Sequence, residues 1–184
     1  MDQELRRCFI ALELPREAIN RIKEVQDLIK KKKYFYGKFT EPENLHLTLK
    51  FLGEIDDEKI EEVKRRLKKI MIKEFEARLG EIGFFSQKFL KIIWVKLEGK
   101  SVFELQKLVD ENLEGLFDKE VRFMSHITIA RVKKVLRKKD LIDYIKNIKI
   151  KDLRFRVKEF ILKESELTKE GPIYADVEKY SLES

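Results

Sequence analysis

The chain contains only two histidines, and both occur in the same short pattern. His46 belongs to residues 45–49, LHLTL, and His126 belongs to residues 125–129, SHITI. Threonine is scarce in this chain, yet it stands two residues after each histidine. An unperturbed imidazole titrates near neutral pH, so a pair of histidines can act as the proton acceptor and the proton donor of one reaction. The repeated motif therefore predicts acid–base chemistry.

Strand geometry gives the repeated motif its meaning. Side chains alternate between the two faces of a strand, so a histidine and the threonine two residues later point the same way. The intervening leucines then face a core, and strict alternation puts His46, Thr48 and Lys50 on the opposite face. In the second copy, His126 and Thr128 share one face in the same way. Two such strands facing each other across a cleft would bring two imidazoles and two hydroxyls together.

A site of this composition suits an in-line attack at phosphorus. One imidazole takes a proton from the nucleophile, and the other gives a proton to the leaving oxygen. The threonine hydroxyls donate hydrogen bonds to the non-bridging phosphate oxygens, where charge accumulates. The scheme needs no metal, and one histidine per strand falls short of the three or more ligands of a metal site. The alternative for a single copy of the motif is an ordinary half-buried strand face.

Hydrophobic periodicity predicts the elements that hold these residues. Strands are predicted at residues 7–14, 45–52, 75–85, 91–97, 126–132, 152–162 and 173–180. Helices are predicted at 15–33, from Asp56 or Asp57 to 71, from Ser101 to 116, and at 139–148. A loop is expected through Gly37, and a turn around Gly171. With no linker in between, we expect residues 1–184 to form one α+β domain made of two similar lobes.

The composition excludes several classes of protein. Charged residues make up 41% of the chain without a long uncharged stretch, which excludes a transmembrane helix. Residues 1–4 are acidic and carry no apolar signal core, so a cytoplasmic location is expected. The single cysteine, Cys8, excludes an intrachain disulfide and a cysteine zinc site. The net charge of +7 weakly favours polyanions such as RNA, and the Lys and Glu content is typical of proteins from hot organisms.

Four blocks of sequence, in order, resemble a known family. They are RRCFIALELP at residues 6–15, NLHLTLKFLG at 44–53, SHITIAR at 125–131, and LKESEL at 162–167 followed by GPIY at 171–174. The chain resembles the two-histidine (2H) phosphoesterases, specifically the RNA 2′,3′-cyclic phosphodiesterases that are also called 2′-5′ RNA ligases. This family often has proline before the second histidine, where this chain has Ser125. We expect that difference to have little effect on activity.

The resemblance implies a fold, a reaction and a set of roles. The implied fold is bilobal, with two pseudo-symmetric lobes, each with an antiparallel sheet and helices, around a central groove. The implied reaction opens a 2′,3′-cyclic phosphate at an RNA 3′ end, including possible tRNA fragments, and leaves a 2′-phosphate. By this carry-over His46 is the proton donor, His126 is the proton acceptor, and Thr48 and Thr128 hold the phosphate. The near-symmetric motifs themselves do not distinguish the donor from the acceptor. A monomer without a cofactor is expected.

Further residues are weaker candidates for substrate contacts. Arg131 follows the second motif and could neutralise a phosphate, but strict alternation puts it opposite His126. Either the strand bends near Ala130 or Arg131 acts from an edge. The basic and aromatic segment 30–39 suits single-stranded RNA, although lysines at the end of a helix also simply favour the helix dipole. Residues 133–139 form a second basic stretch. The candidate RNA contacts are Lys33, Tyr34, Tyr36, Lys50 and Tyr174, the last of which could instead be a packed strand residue.

Two other functions remain open at this point. The same chemistry could act on a small cyclic nucleotide or an ADP-ribose cyclic phosphate. Alternatively, the chain could be a non-catalytic module that binds the end of an RNA. A long RNA should outcompete a cyclic mononucleotide if the basic stretches matter, and a binding module would never release product.

Overall fold

The computed structural model describes residues 5–169 and 171–184, so residues 1–4, on which the expectation about a signal segment rests, lie outside the described part. A short 3₁₀ turn, Pro42–Asn44, precedes the third strand. The elements in chain order are β1 Arg6–Glu13, α1 Arg16–Lys32, β2 Phe35–Phe39, β3 His46–Ile55, α2 Asp57–Leu67, β4 Phe75–Phe84, β5 Ile92–Glu98, α3 Lys100–Asn112, β6 His126–Val135, α4 Lys138–Asn147, β7 Arg154–Val157, β8 Glu159–Leu167 and β9 Pro172–Ser181.

The ends of the helices follow from local chemistry. Pro15 precedes α1 and fixes the backbone angle at its entry, and Lys33 ends the helix in a left-handed conformation with a φ of 52°. Asp56 caps α2, because its side chain accepts a hydrogen bond of 2.8 Å from the backbone N–H of Lys59. The predicted start of α3 at Ser101 is wrong by one residue, because the helix begins at Lys100 and Gly99 occupies the cap position.

The described strands pair into one antiparallel sheet in the order β7-β4-β5-β6-β3-β1-β8-β9, and β2 pairs with β6 outside this path. The two histidine strands, β6 and β3, are neighbours at its centre. On either side of them stand three further strands in matching positions. This arrangement confirms the predicted α+β class with antiparallel pairing.

The ends of this sheet approach each other. Only Lys158 separates β7 from β8, although these strands stand near opposite ends of the strand order. The backbone N–H of Glu74 also donates to the carbonyl of Glu183, beyond β9. The sheet must therefore curl strongly. The single strand predicted for residues 152–162 is wrong for this reason, because the chain leaves one end of the sheet at Lys158 and joins the other.

The strand β2 was expected to be a loop because of Gly37. Gly37 pairs with Val132 on β6, and a Cβ atom at this position would overlap the carbonyl oxygen of Arg131. The glycine therefore permits a close approach of two strands rather than breaking a strand. Phe35 and Phe39 on either side of it pack against the core.

One hydrophobic cluster fills the space between the sheet and the helices. Leu47 and Leu49 of β3 and Ile127 and Ile129 of β6 are buried in it, and the helices contribute their apolar faces to the same cluster. The opposite side of the sheet carries the histidines, and we call it the histidine face. Within residues 5–169 and 171–184, none of the helices has the length and apolar character needed to cross a membrane.

Candidate active site

The two histidine motifs lie side by side at the centre of the sheet. Strands β3 and β6 run antiparallel, and Leu47 pairs with Ile127. Side chains on either side of this pair project to the histidine face. Extended by one residue in each direction, the register sets His46 beside Thr128 and His126 beside Thr48. Two imidazoles and two hydroxyls therefore converge where the strands meet.

Backbone carbonyls fix the orientation of both imidazoles. The Nδ1 atom of His46 lies 2.8 Å from the carbonyl oxygen of Asn44, and the Nδ1 atom of His126 lies 2.7 Å from that of Met124. A carbonyl oxygen only accepts hydrogen bonds, so Nδ1 carries the proton in each ring. Each neutral imidazole therefore presents its Nε2 lone pair to the histidine face. The sequence contains no signal for these carbonyls, which stand two residues before each histidine.

Burial holds both imidazoles in the neutral form. It lowers the pKa of His46 to about 4, against the opposing effect of the hydrogen bond to Asn44. The charge of Lys163 lowers this pKa further, whereas Glu13 raises it. Burial also lowers the pKa of His126, and the positive charge of Arg131 acts in the same direction. At neutral pH the free protein therefore holds two uncharged histidines, each able to accept a proton.

The two Nε2 atoms differ in their hydrogen bonds. The hydroxyl oxygen of Thr48 lies 3.1 Å from Nε2 of His46. Since Nδ1 of that ring carries the proton, the Thr48 hydroxyl donates to Nε2. No group within residues 5–169 and 171–184 bonds to Nε2 of His126. The lone pair of His126 is thus open to a ligand, and that of His46 is covered.

A bulge brings Arg131 to the histidine face. One extra residue, Ile129, is inserted where β6 pairs with β5, and this breaks the alternation of side chains. Ile129 and Ala130 are both buried, and Arg131 is exposed. Its charge acts on the pKa of His126. Of the two arrangements predicted for Arg131, the bend near Ala130 is the one that the structure has.

The same kind of bulge overturns the prediction for Lys50. On β3 the inserted residue is Leu49, and Lys50 turns to the core, where it is only 6% exposed. Its Nζ atom lies 2.5 Å from a carboxylate oxygen of Asp110 and 2.7 Å from the carbonyl oxygen of Asp118. Lys50 is therefore a buried structural cation and is not available to RNA. Phe51, instead of Lys50, lies on the exposed face of the strand and is 71% exposed.

Aromatic rings contact both histidines. The ring centroids of Phe9 and Tyr174 lie 5.0 and 5.1 Å from that of His46. The ring of Phe85 meets His126 edge-on at 4.7 Å. Tyr174 thus stands beside the first histidine, as the sequence suggested for a residue that reaches the site. Phe85, which follows β4, was missed because nothing in the sequence links it to His126.

The remaining candidates lie along β2 and the end of α1. Tyr34 is half-buried, and its ring packs against Tyr144 and beneath Arg137, whose guanidinium carbon lies 5.4 Å from the ring centroid. Lys33 is exposed at the end of α1, and Tyr36 is 63% exposed. The ring of Tyr34 is therefore occupied by protein contacts, whereas Lys33 and Tyr36 face solvent.

Two further groups bear on the chemistry that the site can perform. Cys8 is buried, and burial raises the pKa of its thiol to about 11, which disfavours the reactive thiolate. In the described part of the chain, no three His, Cys, Asp or Glu side chains are grouped so that they could hold a metal ion.

Ser125 is buried, and its hydroxyl donates to the carbonyl of Leu97 at 2.6 Å, which fixes the start of β6 against β5.

An antiparallel sheet with two His-x-Thr strands at its centre defines a class of phosphoesterases. The chain belongs to the LigT-like phosphoesterase family, whose model matches residues 12–94 and again residues 95–174. Each matched segment contains one of the two histidines. The protein is therefore a phosphoesterase of this family.

Particular relatives and structures support this assignment. The chain is 36% identical over 177 residues to the RNA 2′,3′-cyclic phosphodiesterase of Methanocaldococcus jannaschii, covering 95% of this chain and 99% of the relative. It is 32% identical over 175 residues to the protein of the same name from Thermotoga maritima, covering 91% of each chain. TT0787 of Thermus thermophilus shares the fold with a TM-score of 0.79 at 27% identity, covering 95% of this chain and 97% of that one. Escherichia coli LigT in its apo form shares it with a TM-score of 0.78 at 21% identity, covering 98% and 99%.

Proposed function

We propose that this protein opens the 2′,3′-cyclic phosphate at the 3′ end of an RNA and leaves a 2′-phosphate, without a metal ion. The observation that carries the proposal is the pairing of Leu47 with Ile127, which sets two His-x-Thr motifs beside each other on one face. The name shared by the curated relatives from M. jannaschii and T. maritima supports the choice of substrate. We further propose that the chain acts as one domain of two intertwined lobes.

His126 is assigned the role of proton acceptor. Its Nε2 atom carries a lone pair because Nδ1–H is bonded to the carbonyl of Met124. As water attacks phosphorus, Nε2 takes its proton and the new P–O bond forms. The bond from phosphorus to the 3′ oxygen breaks on the opposite side of the phosphate.

His46 is assigned the role of proton donor to the 3′ oxygen. A donor must first be protonated, and the pKa of His46 is about 4 in the free protein. The negative charge of a bound phosphate raises the pKa of a nearby imidazole. The substrate itself therefore promotes uptake of the proton that its leaving group needs.

Protonation of His46 also changes what Thr48 does. The neutral ring accepts a hydrogen bond from the Thr48 hydroxyl at 3.1 Å. An imidazolium donates from both nitrogens and accepts from neither. Once His46 is charged, the Thr48 hydroxyl is released and can donate to a non-bridging phosphate oxygen. Thr128 and Arg131 complete the set of groups that stabilise the phosphate charge.

An RNA oligonucleotide that ends in a 2′,3′-cyclic phosphate tests the proposal directly. The assay is run hot and with EDTA, and the product is identified by mass and by its resistance to a 3′-specific phosphatase. The expected product is a 2′-phosphate, and His46→Gln and His126→Gln serve as matched controls with strongly reduced activity. A 3′-phosphate would contradict the assigned leaving group. An unchanged RNA, together with turnover of cyclic mononucleotides, would replace RNA by small cyclic phosphates as the substrate class.

Ligation is a second activity proposed for the same site. The 5′-hydroxyl of another RNA takes the place of water, gives its proton to His126 and attacks the 2′,3′-cyclic phosphate, which breaks the bond to the 3′ oxygen and forms a 2′-5′ link. By microscopic reversibility, this step is the reverse of cleaving a 2′-5′ link to a cyclic phosphate and a 5′-hydroxyl. Water at high concentration favours hydrolysis. We expect joined product only at high concentrations of the 5′-hydroxyl RNA, and its absence at every concentration would remove ligation from the proposal.

A further inference from the structure

The strand pair β2–β6 extends the histidine face away from the histidines. Lys38 pairs with Arg131, and Tyr36 pairs with Lys134, two residues farther along β2 and beyond a bulge at Lys133 on β6. Phe35 and Phe39 of β2 pack against the core, so the alternate residues of this strand point to the histidine face. We call Tyr36, Lys38, Arg131 and Lys134 the basic ribbon. It begins at Arg131, which is already part of the proposed phosphate site.

Two separate basic segments of the sequence meet at this ribbon. The backbone N–H groups of Leu136 and Arg137 both donate to the carbonyl of Tyr34, at 2.9 and 3.1 Å. This contact joins residues 30–39 to residues 131–139. The first segment carries five basic residues, the second carries six, and neither contains an acidic residue. Pairing of β2 with β6 thus brings together the positive charges of two segments that are far apart in the sequence.

On the opposite side of the histidine strands, acidic residues outnumber lysines. Strands β8 and β9 contain five acidic residues, Glu159, Glu164, Glu166, Asp176 and Glu178, against two lysines. One of those lysines, Lys163, is buried between the carboxylates of Glu13 and Asp176. The other carboxylates of β8 and β9 are also largely ion-paired, Glu164 with Arg6 and Glu178 with Lys68. A polyanion that leaves the histidines toward β9 would therefore meet ion pairs, whereas one that leaves along β2 and β6 would meet cations.

We infer that the RNA strand on the 5′ side of the cyclic phosphate runs from the histidines along the basic ribbon. This inference rests on the proposed function and adds the direction of the substrate to it. Lys134 contacts a backbone phosphate beyond the one held by Arg131. Tyr36, which is 63% exposed, offers a ring on which a base can stack. The ribbon therefore makes the protein prefer an RNA end over a free cyclic mononucleotide.

Two substrates with the same 3′ nucleotide separate binding along the ribbon from the chemistry. One is a nucleoside 2′,3′-cyclic phosphate, and the other is a ten-nucleotide RNA that ends in it. We expect Lys134→Glu and Tyr36→Ala each to raise KM for the RNA by roughly 10-fold, with kcat and KM for the mononucleotide unchanged. For Lys134→Glu, the slope of log Kd against log salt concentration should also fall by about 1.

Lys69→Glu is the matched control, because it makes the same change in net charge at an exposed site. Lys69 follows α2, next to Lys68, which pairs with Glu178 on β9, far from the ribbon in the strand order. Equal effects of Lys69→Glu and Lys134→Glu would overturn the inference, since general electrostatics would then explain both. Unchanged RNA kinetics in both ribbon variants would also overturn it and leave the basic ribbon as a surface for another partner.

A second readout keeps this test independent of the proposed function. Fluorescence anisotropy measures binding of the same RNA without turnover. If neither substrate is hydrolysed but Lys134→Glu still weakens RNA binding by roughly 10-fold relative to Lys69→Glu, the ribbon stands and the catalytic proposal fails. If both substrates are hydrolysed with the same KM in the wild type, the catalytic proposal stands and the ribbon fails.

Discussion

The two histidines share a motif but not an environment. His46 packs against both Phe9 and Tyr174, its Nε2 atom is covered by Thr48, and the pKa of its imidazole lies near 4. His126 has one aromatic neighbour, Phe85, and within the described residues its Nε2 atom has no bonded partner. Two copies of one motif can therefore serve as a proton donor and a proton acceptor, because the surroundings of each histidine set its pKa.

The difference arises in strands that lie two positions away from the histidine strands. On one side, β8 contributes Lys163, which is buried and ion-paired with Glu13 and Asp176. On the other side, the residue that follows β4 is Phe85, an uncharged ring against His126. Lys163 and Glu13 act on the first imidazole from its own half of the sheet, whereas the second lies against an apolar ring and is acted on by the charge of Arg131 on its own strand.

Removal of either imidazole should have the largest effect, and the choice of leaving group should separate the two. We expect His46→Gln and His126→Gln each to lower kcat on RNA by about 10²–10⁴-fold. An aryl phosphodiester releases a phenolate that needs no proton. On that substrate His46→Gln should recover most of the lost rate, whereas His126→Gln should not.

The measurement is kcat of both variants on both substrates, with circular dichroism to verify the fold. Recovery in His126→Gln instead of His46→Gln would exchange the two roles. Full activity of either variant on RNA would remove the proposed mechanism.

The second largest effect is on stability, and it concerns the residues that stand four positions after each histidine. After each bulge the chain buries Lys50 in one half and Ala130 in the other. Lys50→Met leaves the Asp110 carboxylate buried without its cation, which should cost roughly 3–5 kcal/mol of unfolding free energy. Denaturant titration measures this loss, and the double variant Lys50→Met/Asp110→Leu should regain part of it. A loss of under 1 kcal/mol in the single variant would show that the pair contributes little to the first half.

The threonines should have smaller effects, and unequal ones. Thr48 donates to Nε2 of His46, whereas in the described chain no such bond joins Thr128 to His126. We expect Thr48→Val and Thr128→Val each to lower kcat by at most about 10²–10³-fold, as for the loss of one donor to the phosphate. Only Thr48→Val should also raise the pKa of His46, because the bond that it removes stabilises the neutral ring. A matching shift in Thr128→Val would indicate that both threonines act on His46.

The sequence allowed the sheet-forming segments and the histidine face to be predicted, but only as far as alternation holds. His46, Thr48, His126 and Thr128 lie where alternation predicts. Lys50 does not, because the bulge at Leu49 shifts residues 50–52 to the other face, until a second irregularity at Leu52 restores the alternation. The periodicity of the sequence contains no sign of an inserted residue, since the apolar pattern simply continues through it.

Other features depend on contacts between distant segments and could not be predicted. Gly37 is typical of a loop until Val132 is known to lie opposite it. The break at Lys158 requires the sheet to curl, which no local pattern records. The carbonyls of Asn44 and Met124 orient both imidazoles, yet backbone groups are the same at every residue. The division of the chain into two lobes of one domain stays a prediction.

The smallest expected effect is on the pKa of His46, and it tests the charged neighbours that distinguish the two halves. The charged and titratable groups that act on this imidazole are Lys163, Glu13 and His126. Lys163→Met removes a positive charge that disfavours the imidazolium, so it should raise the pKa of His46. Glu13→Gln removes a negative charge and should lower it. Each shift should be roughly one unit or less, since part of each charge is screened by solvent.

Proton NMR can follow both imidazoles separately, because the chain has only two histidines. In the wild type, one signal should titrate near pH 4 and the other also below the ordinary value of about 6.5. Arg131→Met is the matched control, since it should raise the pKa of His126 and leave that of His46 in place. Because both free imidazoles titrate below 6.5, kcat/KM should already be declining with rising pH at neutral pH, where most of the free protein no longer holds the proton that the donor needs. A pKa of His46 that stays at its wild-type value in both Lys163→Met and Glu13→Gln would show that burial alone, and not the charged neighbours, makes the two histidines different.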